Sequence, residues 1–312
     1  MTMCSPGGGE AAANAIVADP TLVAIVGTTC SSAAQLAAPI ISDAGYSMVS
    51  PSNTAPFLTD PGTHSAGYLR VAWNDNDQGV DMAEFVSGEG AATSAVVVDG
   101  DSYTVALGES FVESFEGLGG TNLAFEVADP GGSDVDAVIA AIVSAGAPDV
   151  LYLPVFEPLG SALVAEARAT PALDGTQLAA TEILAFQEFA DGLGPDAEGM
   201  LFTLPDLSFT DTPEYAAFAA AYFVGFGEDP LTMFAAYAFD AANVILNGIE
   251  ETGVVDGDGT LHIGRQALRD ALFATSDFSG LTGTITCGPL GECGMNGFAI
   301  LMVDDGVIVP VP

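Results

Sequence analysis

Residues 27–32 (GTTCSS) carry the most informative chemistry in this sequence, because they follow the apolar run 22–26 (LVAIV) and precede an Ala-rich segment. This order predicts a buried strand, a small polar loop and a helix. The N-terminus of such a helix offers backbone N–H groups and hydroxyls to a carboxylate. The next predicted strand, 46–49, leads into a second hydroxyl-rich loop at 50–56 (SPSNTAP). Since ligands of open α/β sheets bind beyond the carboxyl ends of strands, the two loops predict a cleft for a small solute, with helix capping as the simpler alternative.

The composition excludes several classes of protein. The chain has 312 residues, which is enough for two lobes, and 49% of them are hydrophobic. It carries 42 acidic residues against four arginines and no lysine, a formal net charge of −38. This charge argues against binding to nucleic acid or to anionic membranes, and the missing lysine excludes a P-loop and a Schiff base. No apolar run reaches the roughly 18 residues of a membrane span, and the apolar stretch 215–226 is predicted to be a buried helix.

The four cysteines indicate an oxidising compartment. Cys287 and Cys293 bracket the tip of a predicted hairpin, and an even count with one pair placed to clip a turn predicts two disulfides. Zinc is the alternative, but there is no CxxC motif and no histidine near the cysteines in the sequence. No basic, apolar leader precedes Cys4, so we expect a chain that starts downstream of its export signal.

Strand and helix alternate along most of the chain, which predicts βαβ units and mostly parallel sheets. Further strands are predicted at 94–98, 124–127, 149–155, 177–181, 283–287, 298–303 and 307–309. Further helices are predicted after the segment 99–103 up to about 117, and at 134–144, 159–168 and 263–274, with two long helices between 213 and 252. Five side chains stand at or just beyond predicted strand ends: Ser31, Thr54, Tyr103, Phe156 and Glu182. Hydroxyls at a helix N-terminus suit an α-carboxylate, Glu182 suits an α-ammonium, and aromatic rings suit an apolar side chain.

The motifs of catalysis are missing. The sequence contains no GxSxG, HExxH or CxxC pattern. The segment 256–259 (DGDG) resembles the start of a calcium loop but lacks the glutamate expected further on, so a turn is predicted. We therefore expect no catalytic residue, no metal ion and no cofactor.

Several segments resemble the periplasmic-binding-protein type I family, in particular the leucine/isoleucine/valine-binding proteins of branched-chain amino-acid ABC transporters. They are residues 27–32, 50–59 (SPSNTAPFLT), 70–79 (RVAWNDNDQG) and 235–241 (AAYAFDA). The segment 263–272 (IGRQALRDAL) resembles a subgroup that also carries the Cys287/Cys293 hairpin.

The resemblance implies two doubly wound α/β lobes joined by a hinge of three crossovers. The lobes would span 1–74 with 206–295, and 75–205 with 296–312. The crossovers would lie near Asn74, Pro205 and Asn296. Closure of the lobes would trap one small amino acid, branched-chain or another neutral one, and an ABC transporter permease would recognise the closed form. Family members also have an N-terminal strand, helix and strand in the first lobe that this chain lacks, so the resemblance implies an N-terminally truncated and poorly soluble chain.

Carried over by position, the family pattern assigns the ligand contacts. Ser31 and the Thr54 hydroxyl would bind the ligand carboxylate. The Ser52 carbonyl and Glu182 would bind the ammonium, and Tyr103 matches an aromatic residue that closes from the second lobe.

Phe156 stands where branched-chain binders often carry tyrosine, which leaves another neutral amino acid, or an amide or urea-like solute, as alternative ligands.

Cys4 and Cys30 match the family's disulfide near the site. The resemblance implies a monomeric periplasmic or extracellular protein that does not bind nucleic acid. A ligand-sensing ectodomain of a signalling receptor is the alternative function on the same fold.

Overall fold

The computed structural model of the protein describes residues 4–294 and 297–311. The helices are α1 Pro6–Val17, α2 Ser31–Asp43, α3 Asp75–Gly88, α4 Ser102–Gly117, α5 Val135–Ala145, α6 Leu159–Ala169, α7 Gln187–Leu193, α8 Pro213–Phe226, α9 Phe234–Thr252 and α10 Arg265–Phe273. The strands are β1 Ala24–Val26, β2 Ser47–Ser50, β3 Tyr68–Arg70, β4 Thr93–Val98, β5 Thr121–Val127, β6 Val150–Leu153, β7 Gln177–Thr181, β8 Leu201–Pro205, β9 Val254–Val255, β10 Leu261–His262, β11 Phe278–Ser279, β12 Thr284–Ile285, β13 Phe298–Asp304 and β14 Val307–Pro310.

The chain divides into two compact units. Unit 1 comprises Met1–Asn74 and Leu207–Asn296, and unit 2 comprises Asp75–Asp206 and Gly297–Pro312. The predicted crossover at Asn296 lies outside the described residues. Closure of two lobes around a ligand stays a prediction.

Unit 1 is built on a parallel sheet in the order β1-β2-β3. Helix α2 crosses from β1 to β2, and its apolar face repeats at the spacing of a helix in contact with a core: Ala34, Ala37, Ala38 and Ile41 are all buried. These residues pack with α1 and with Met48 and Tyr68 of the sheet. Because α2 begins directly after the loop that follows β1, the packing of this helix fixes the position of the hydroxyl-rich loop at 27–32.

Unit 2 contains a seven-stranded sheet in the order β14-β13-β8-β7-β6-β4-β5. The strands from β8 to β5 are parallel, and β13 runs antiparallel to β8. The chain passes from β4 to β5 on one side and then to β6 on the other, so the sheet has a topological switch point at β4. Ligands of doubly wound sheets bind outside the carboxyl ends of the strands at such a point.

Helices α3 and α4 pack closely in unit 2 because Gly79 has no side chain. A Cβ at this position would lie 2.8 Å from the backbone nitrogen of Phe111 on α4. Met82 of α3 and Leu107 of α4 then join the core of the unit beside Val96 and Tyr152 of the sheet. Asp101 caps α4 by accepting a hydrogen bond from the backbone nitrogen of Tyr103 at 2.8 Å, which places this tyrosine in the first turn.

The predicted alternation of strands and helices agrees with the structure over most of the chain, and β7 has the predicted bounds. The elements that fall outside the predicted ones are strands β3, β8, β9, β10 and β11 and helices α1, α3 and α7. The predicted strand at 283–287 is shorter than expected and comprises only Thr284–Ile285.

The expectation of a buried helix at 215–226 is wrong. The segment is helical, as part of α8, but none of its residues is buried; Val224 is 86% exposed and Phe226 71% exposed. Its apolar side chains form a surface of unit 1 instead of a core, because apolar content alone does not determine what packs against a helix. Within residues 4–294 and 297–311, no helix combines the length and hydropathy of a membrane span.

Candidate functional site

Three of the predicted ligand residues lie together in unit 2, at the carboxyl ends of neighbouring parallel strands. Tyr103 stands in the first turn of α4, after β4. Phe156 follows β6 and Glu182 follows β7. The strand order β7-β6-β4 brings all three to one edge of the sheet, at its switch point.

The carboxylate of Glu182 is held on both oxygens. The Tyr103 hydroxyl donates to Oε1 at 2.6 Å, and Nε2 of Gln78 donates to Oε2 at 2.5 Å. The same amide nitrogen of Gln78 lies 3.1 Å from Oγ1 of Thr203, on β8. These bonds fix the orientation of the carboxylate.

Burial raises the pKa of the Glu182 carboxyl, while the hydrogen bonds from Tyr103 and Gln78 act in the opposite direction without cancelling the shift. Burial also raises the pKa of Tyr103 well above its usual value, and the nearby charge of Glu182 adds to this effect. Tyr103 therefore stays a neutral donor at any physiological pH. A cation beside Glu182 would favour the ionised carboxylate, because an opposite charge stabilises the charged form.

Phe156 supplies apolar surface at the same edge. Its ring is 42% exposed, and its centroid lies 6.0 Å from that of Tyr103. Asp99, after β4, joins the two loops: Oδ1 accepts from the Thr104 hydroxyl at 2.6 Å, and Oδ2 accepts from the backbone nitrogen of Phe156 at 3.3 Å. The backbone of Phe156 is thus bonded to a carboxylate in the loop that follows the neighbouring strand β4.

The other three predicted ligand residues lie in unit 1, in the loops that follow β1 and β2. Ser50 joins these loops, because its Oγ donates to the carbonyl of Thr28 at 3.0 Å and accepts from the backbone nitrogen of Asn53 at 2.9 Å. The Ser52 hydroxyl donates to the carbonyl of Thr29 at 2.7 Å. The two hydroxyl-rich loops therefore form one hydrogen-bonded structure.

Ser31 and Thr54 are both buried in this structure, at 3% and 2% exposure. Oγ of Ser31, in the first turn of α2, accepts from the backbone nitrogen of Ala55 at 3.3 Å. Oγ of Ser32 and Nδ2 of Asn53 are buried without a hydrogen-bond partner among the described residues. Orphaned buried polar atoms are uncommon in folded proteins, and both of these belong to the loops predicted to bind a carboxylate.

A disulfide joins Cys4 to Cys30, and a second joins Cys287 to Cys293, as expected. Cys30 is the N-cap residue of α2, and Cys4 directly precedes Ser5, the N-cap residue of α1. The first disulfide therefore ties the beginnings of two packed helices together, immediately before Ser31.

Sequence reasoning missed several residues that organise the site. Gln78 belongs to a recognised segment, but its contact with Glu182 spans 104 positions and has no local signal. Thr203 lies on a strand that was not predicted. Glu292 lies 222 positions from Arg70 in the chain and forms an ion pair with it at 2.7 Å, and Arg70 in turn donates to the carbonyls on either side of Thr54. Across the described residues, no group of three or more histidine, cysteine or acidic side chains is arranged to hold a metal ion.

The family model described as periplasmic binding protein matches residues 4–306, and the chain belongs to this family. The leucine-, isoleucine-, valine-, threonine-, and alanine-binding protein of Pseudomonas aeruginosa is 32% identical over 276 residues, which cover 87% of this chain and 70% of that protein. Leu/Ile/Val-binding protein homolog 3 of Brucella melitensis is 29% identical over 309 residues, covering 97% and 78%.

The solved structures agree with this assignment. The crystal structure of a leucine binding protein from Thermotoga maritima MSB8 superposes with a TM-score of 0.82 at 25% identity, over 100% of this chain and 85% of that chain. The predicted α/β fold of the type I periplasmic binding proteins is thereby confirmed. The similar proteins named here are binding proteins and not enzymes. The ligand roles of the six predicted residues stay predictions.

Proposed function

We propose that this protein is an extracytoplasmic solute-binding protein that captures a small neutral amino acid and delivers it, as a monomer, to an ABC transporter permease. The observation that carries the proposal is the Glu182 carboxylate, oriented by Tyr103 and Gln78 at the switch point of the unit 2 sheet. Two relatives whose printed names specify leucine, isoleucine and valine support an amino-acid ligand.

Each chemical group of a neutral amino acid has a counterpart in the proposed site. Glu182, with the Ser52 carbonyl, would hold the α-ammonium. Ser31 and Thr54, in loops without a charged side chain, would hold the carboxylate by hydrogen bonds. Phe156, half exposed beside Tyr103, would contact the ligand's side chain.

An oxidising location is part of the proposal. The disulfides Cys4–Cys30 and Cys287–Cys293 are typical of exported proteins. The family to which the chain belongs is periplasmic by description. We infer that the protein works in the periplasm or outside the cell.

Calorimetric titration with leucine, and then with alanine and acetamide, tests the proposal. The parent protein should bind at least one of the two amino acids. Glu182→Gln keeps the shape of the side chain but removes its charge, so affinity for the amino acid should fall at least about tenfold, since a charge-assisted hydrogen bond is lost and the ammonium is left unpaired. Affinity for acetamide should hardly change.

Glu198→Gln is the matched control. Glu198 is also a carboxylate of unit 2 that accepts two hydrogen bonds, from the backbone nitrogens of Asp305 and Gly306 at 3.1 and 3.2 Å. It precedes β8 and is not among the predicted ligand residues, so its variant should bind like the parent. If Glu182→Gln binds the amino acid as tightly as the parent, the ammonium contact is wrong and an amide or urea-like ligand replaces it.

A further inference from the structure

Arg70, at the end of β3, is completely buried in unit 1. Its guanidinium makes five hydrogen bonds to side chains and carbonyls within residues 4–294. Two of them go to Glu292, from Nε to Oε1 and from Nη2 to Oε2, both at 2.7 Å, and a third goes from Nη2 to the Thr59 hydroxyl at 2.7 Å. This is the two-pronged arrangement in which a guanidinium and a carboxylate fit each other.

The other two of these hydrogen bonds hold the backbone of the hydroxyl-rich loop at 50–56. Nη1 donates to the carbonyl of Asn53 at 3.2 Å and to the carbonyl of Ala55 at 2.9 Å. These two carbonyls stand on either side of Thr54. Arg70 therefore fixes the backbone around Thr54 without contacting its side chain in any of these five bonds.

Glu292 is brought to Arg70 by a short disulfide-closed hairpin, Cys287–Cys293. The backbone nitrogen of Arg70 donates to the carbonyl of Gly291 at 2.8 Å, and that of Cys293 donates to the carbonyl of Arg70 at 3.0 Å. Gly291 has φ +75°, and a Cβ there would lie 2.2 Å from the carbonyl oxygen of Tyr68. The hairpin thus lies directly against β3, at a distance that only glycine permits.

The side chain of Glu292 is further fixed from two other sides. The Thr59 hydroxyl donates to Oε2 at 2.8 Å, and Nδ2 of Asn74 donates to the same oxygen at 3.1 Å. A buried arginine that loses its carboxylate leaves an uncompensated charge. Loss of Glu292 is therefore expected to disturb Arg70 and its bonds to the carbonyls of Asn53 and Ala55.

We propose that the Cys287–Cys293 hairpin is a positioning element for ligand binding: it holds Glu292 against Arg70, and Arg70 fixes the loop that carries Thr54. The ligand-binding role of this loop rests on the proposed function, whereas the mechanical link from hairpin to loop does not. Glu292 and Arg70 are positioning residues, since they act on the ligand through the loop backbone.

The test compares two variants that break the link with one that does not. Glu292→Gln removes the charge that pairs with Arg70, and the double variant Cys287→Ser/Cys293→Ser opens the hairpin. The control is Asp240→Asn, also a buried carboxylate of unit 1, which accepts from the backbone nitrogens of Leu281 and Thr282 at 2.7 and 2.8 Å. Leucine titration, well below the unfolding temperature, should give at least about fivefold weaker binding in both test variants and parental binding in Asp240→Asn.

A double-mutant cycle with Thr54→Val separates positioning from general destabilisation. If Glu292 acts through the loop, its replacement should weaken leucine binding less in the Thr54→Val background than in the parent, because the contact it supports is already gone. Additive effects on affinity would overturn the proposal.

Amide hydrogen exchange of the ligand-free protein keeps the test independent of the ligand. The backbone nitrogens of Asn53 and Ala55 donate to Ser50 and Ser31, so their exchange reports the order of the loop. Exchange at these amides should accelerate at least about fivefold in Glu292→Gln and stay parental in Asp240→Asn. Unchanged exchange in Glu292→Gln would overturn the positioning role even if leucine binds. Faster exchange in a protein that binds neither leucine nor alanine would support the link and refute the proposed function instead.

Discussion

The hydroxyl of Tyr103 lies 2.6 Å from Oε1 of Glu182, although the two residues are 79 positions apart in the chain. One follows β4 and the other follows β7, with β6 between these strands in the sheet. The bond therefore spans the switch point and orients the carboxylate before any ligand is bound. A carboxylate that is already oriented loses less freedom when it accepts an ammonium, and this strengthens binding.

Replacement of Tyr103 by phenylalanine removes this bond and keeps the aromatic ring. We expect leucine affinity to fall by roughly three- to tenfold, because the net contribution of one hydrogen bond is about 0.5–1.5 kcal/mol. Calorimetry measures the change. Tyr46→Phe is the control, since the Tyr46 hydroxyl also donates a hydrogen bond, to the carbonyl of Asp19 at 2.8 Å, but outside the proposed ligand contacts. Equal binding by Tyr103→Phe and the parent would contradict the role of the hydroxyl.

The sequence alone predicts the local part of this site. Loops that follow strands have a local signature of polar residues after an apolar run, and it correctly placed Tyr103 and Glu182 after strands β4 and β7. What the pattern lacks is the pairing across the sheet. The bond from Gln78 to Glu182 spans 104 positions, and the pair of Arg70 and Glu292 spans 222, so each depends on chain topology.

The errors have the same physical origin. Strand β3 was missed because it is only three residues long and ends in the charged Arg70, whose burial is compensated by the distant Glu292 together with Thr59 and the carbonyls of Asn53 and Ala55. Helix α8 was expected to be buried because it is apolar on all sides, yet none of its residues is buried. Burial is decided by the segments that pack on a helix, and a helix's own composition does not specify them.

The free energy of unfolding should depend on pH through the buried carboxyl of Glu182. Burial raises the pKa of this carboxyl in the folded protein, against the hydrogen bonds from Tyr103 and Gln78. In the unfolded chain Glu182 ionises near pH 4.3, and in the folded protein it ionises at a higher pH. The free energy of unfolding therefore falls as the pH rises between these two pKa values, and it is not regained at higher pH. We expect Glu182→Gln to gain free energy of unfolding relative to the parent across this window.

Urea unfolding of the parent and of Glu182→Gln, without ligand, at pH 4 and pH 7 measures the difference. The gain should be larger at pH 7 than at pH 4. A difference that does not depend on pH would contradict a raised pKa for Glu182.

Glu292 should give the opposite pH dependence. Burial raises its pKa, but the hydrogen bonds and charge of Arg70, together with the hydrogen bonds of Thr59 and Asn74, outweigh burial and lower it overall. The ionised Glu292 side chain stabilises the folded protein fully at pH values above its pKa in the unfolded chain. This stabilisation is lost as the pH falls through its lower pKa in the folded protein. Glu292→Gln should therefore be less stable than the parent at pH 7, and urea unfolding should show this deficit shrinking as the pH falls below about 4. A deficit that grows in acid would refute the assignment.

Thr54 tests the carboxylate end of the proposed ligand. Thr54→Val removes the hydroxyl but keeps the branched shape, so we expect leucine affinity to fall by about three- to tenfold, the value of one hydrogen bond. Thr176→Val is the matched control: Thr176 is also buried, its hydroxyl donates to the carbonyl of Pro148 at 2.8 Å, and it directly precedes β7, before the strand and not after it. Both variants should lose some stability in urea, and only Thr54→Val should lose affinity. If both bind leucine like the parent, the carboxylate contact lies elsewhere.

The two disulfides should contribute unequally to stability. Cys4 and Cys30 are separated by 26 positions, and Cys287 and Cys293 by 6. In the chain-entropy model the longer loop stabilises the folded state by about 3.5 kcal/mol and the shorter one by about 2.4 kcal/mol. We expect Cys4→Ser/Cys30→Ser to lose more free energy of unfolding than Cys287→Ser/Cys293→Ser in urea titrations. The protein purified without reductant should show no free thiol, and thiols that titrate under those conditions would contradict both pairings.

The effects of the two replacements on leucine binding should run in the opposite order to their effects on stability. The Cys287–Cys293 replacement, which lowers stability less, is the one expected to weaken leucine binding through Glu292 and Arg70. If both pairs lower stability as ordered but neither changes affinity, the disulfides serve stability alone.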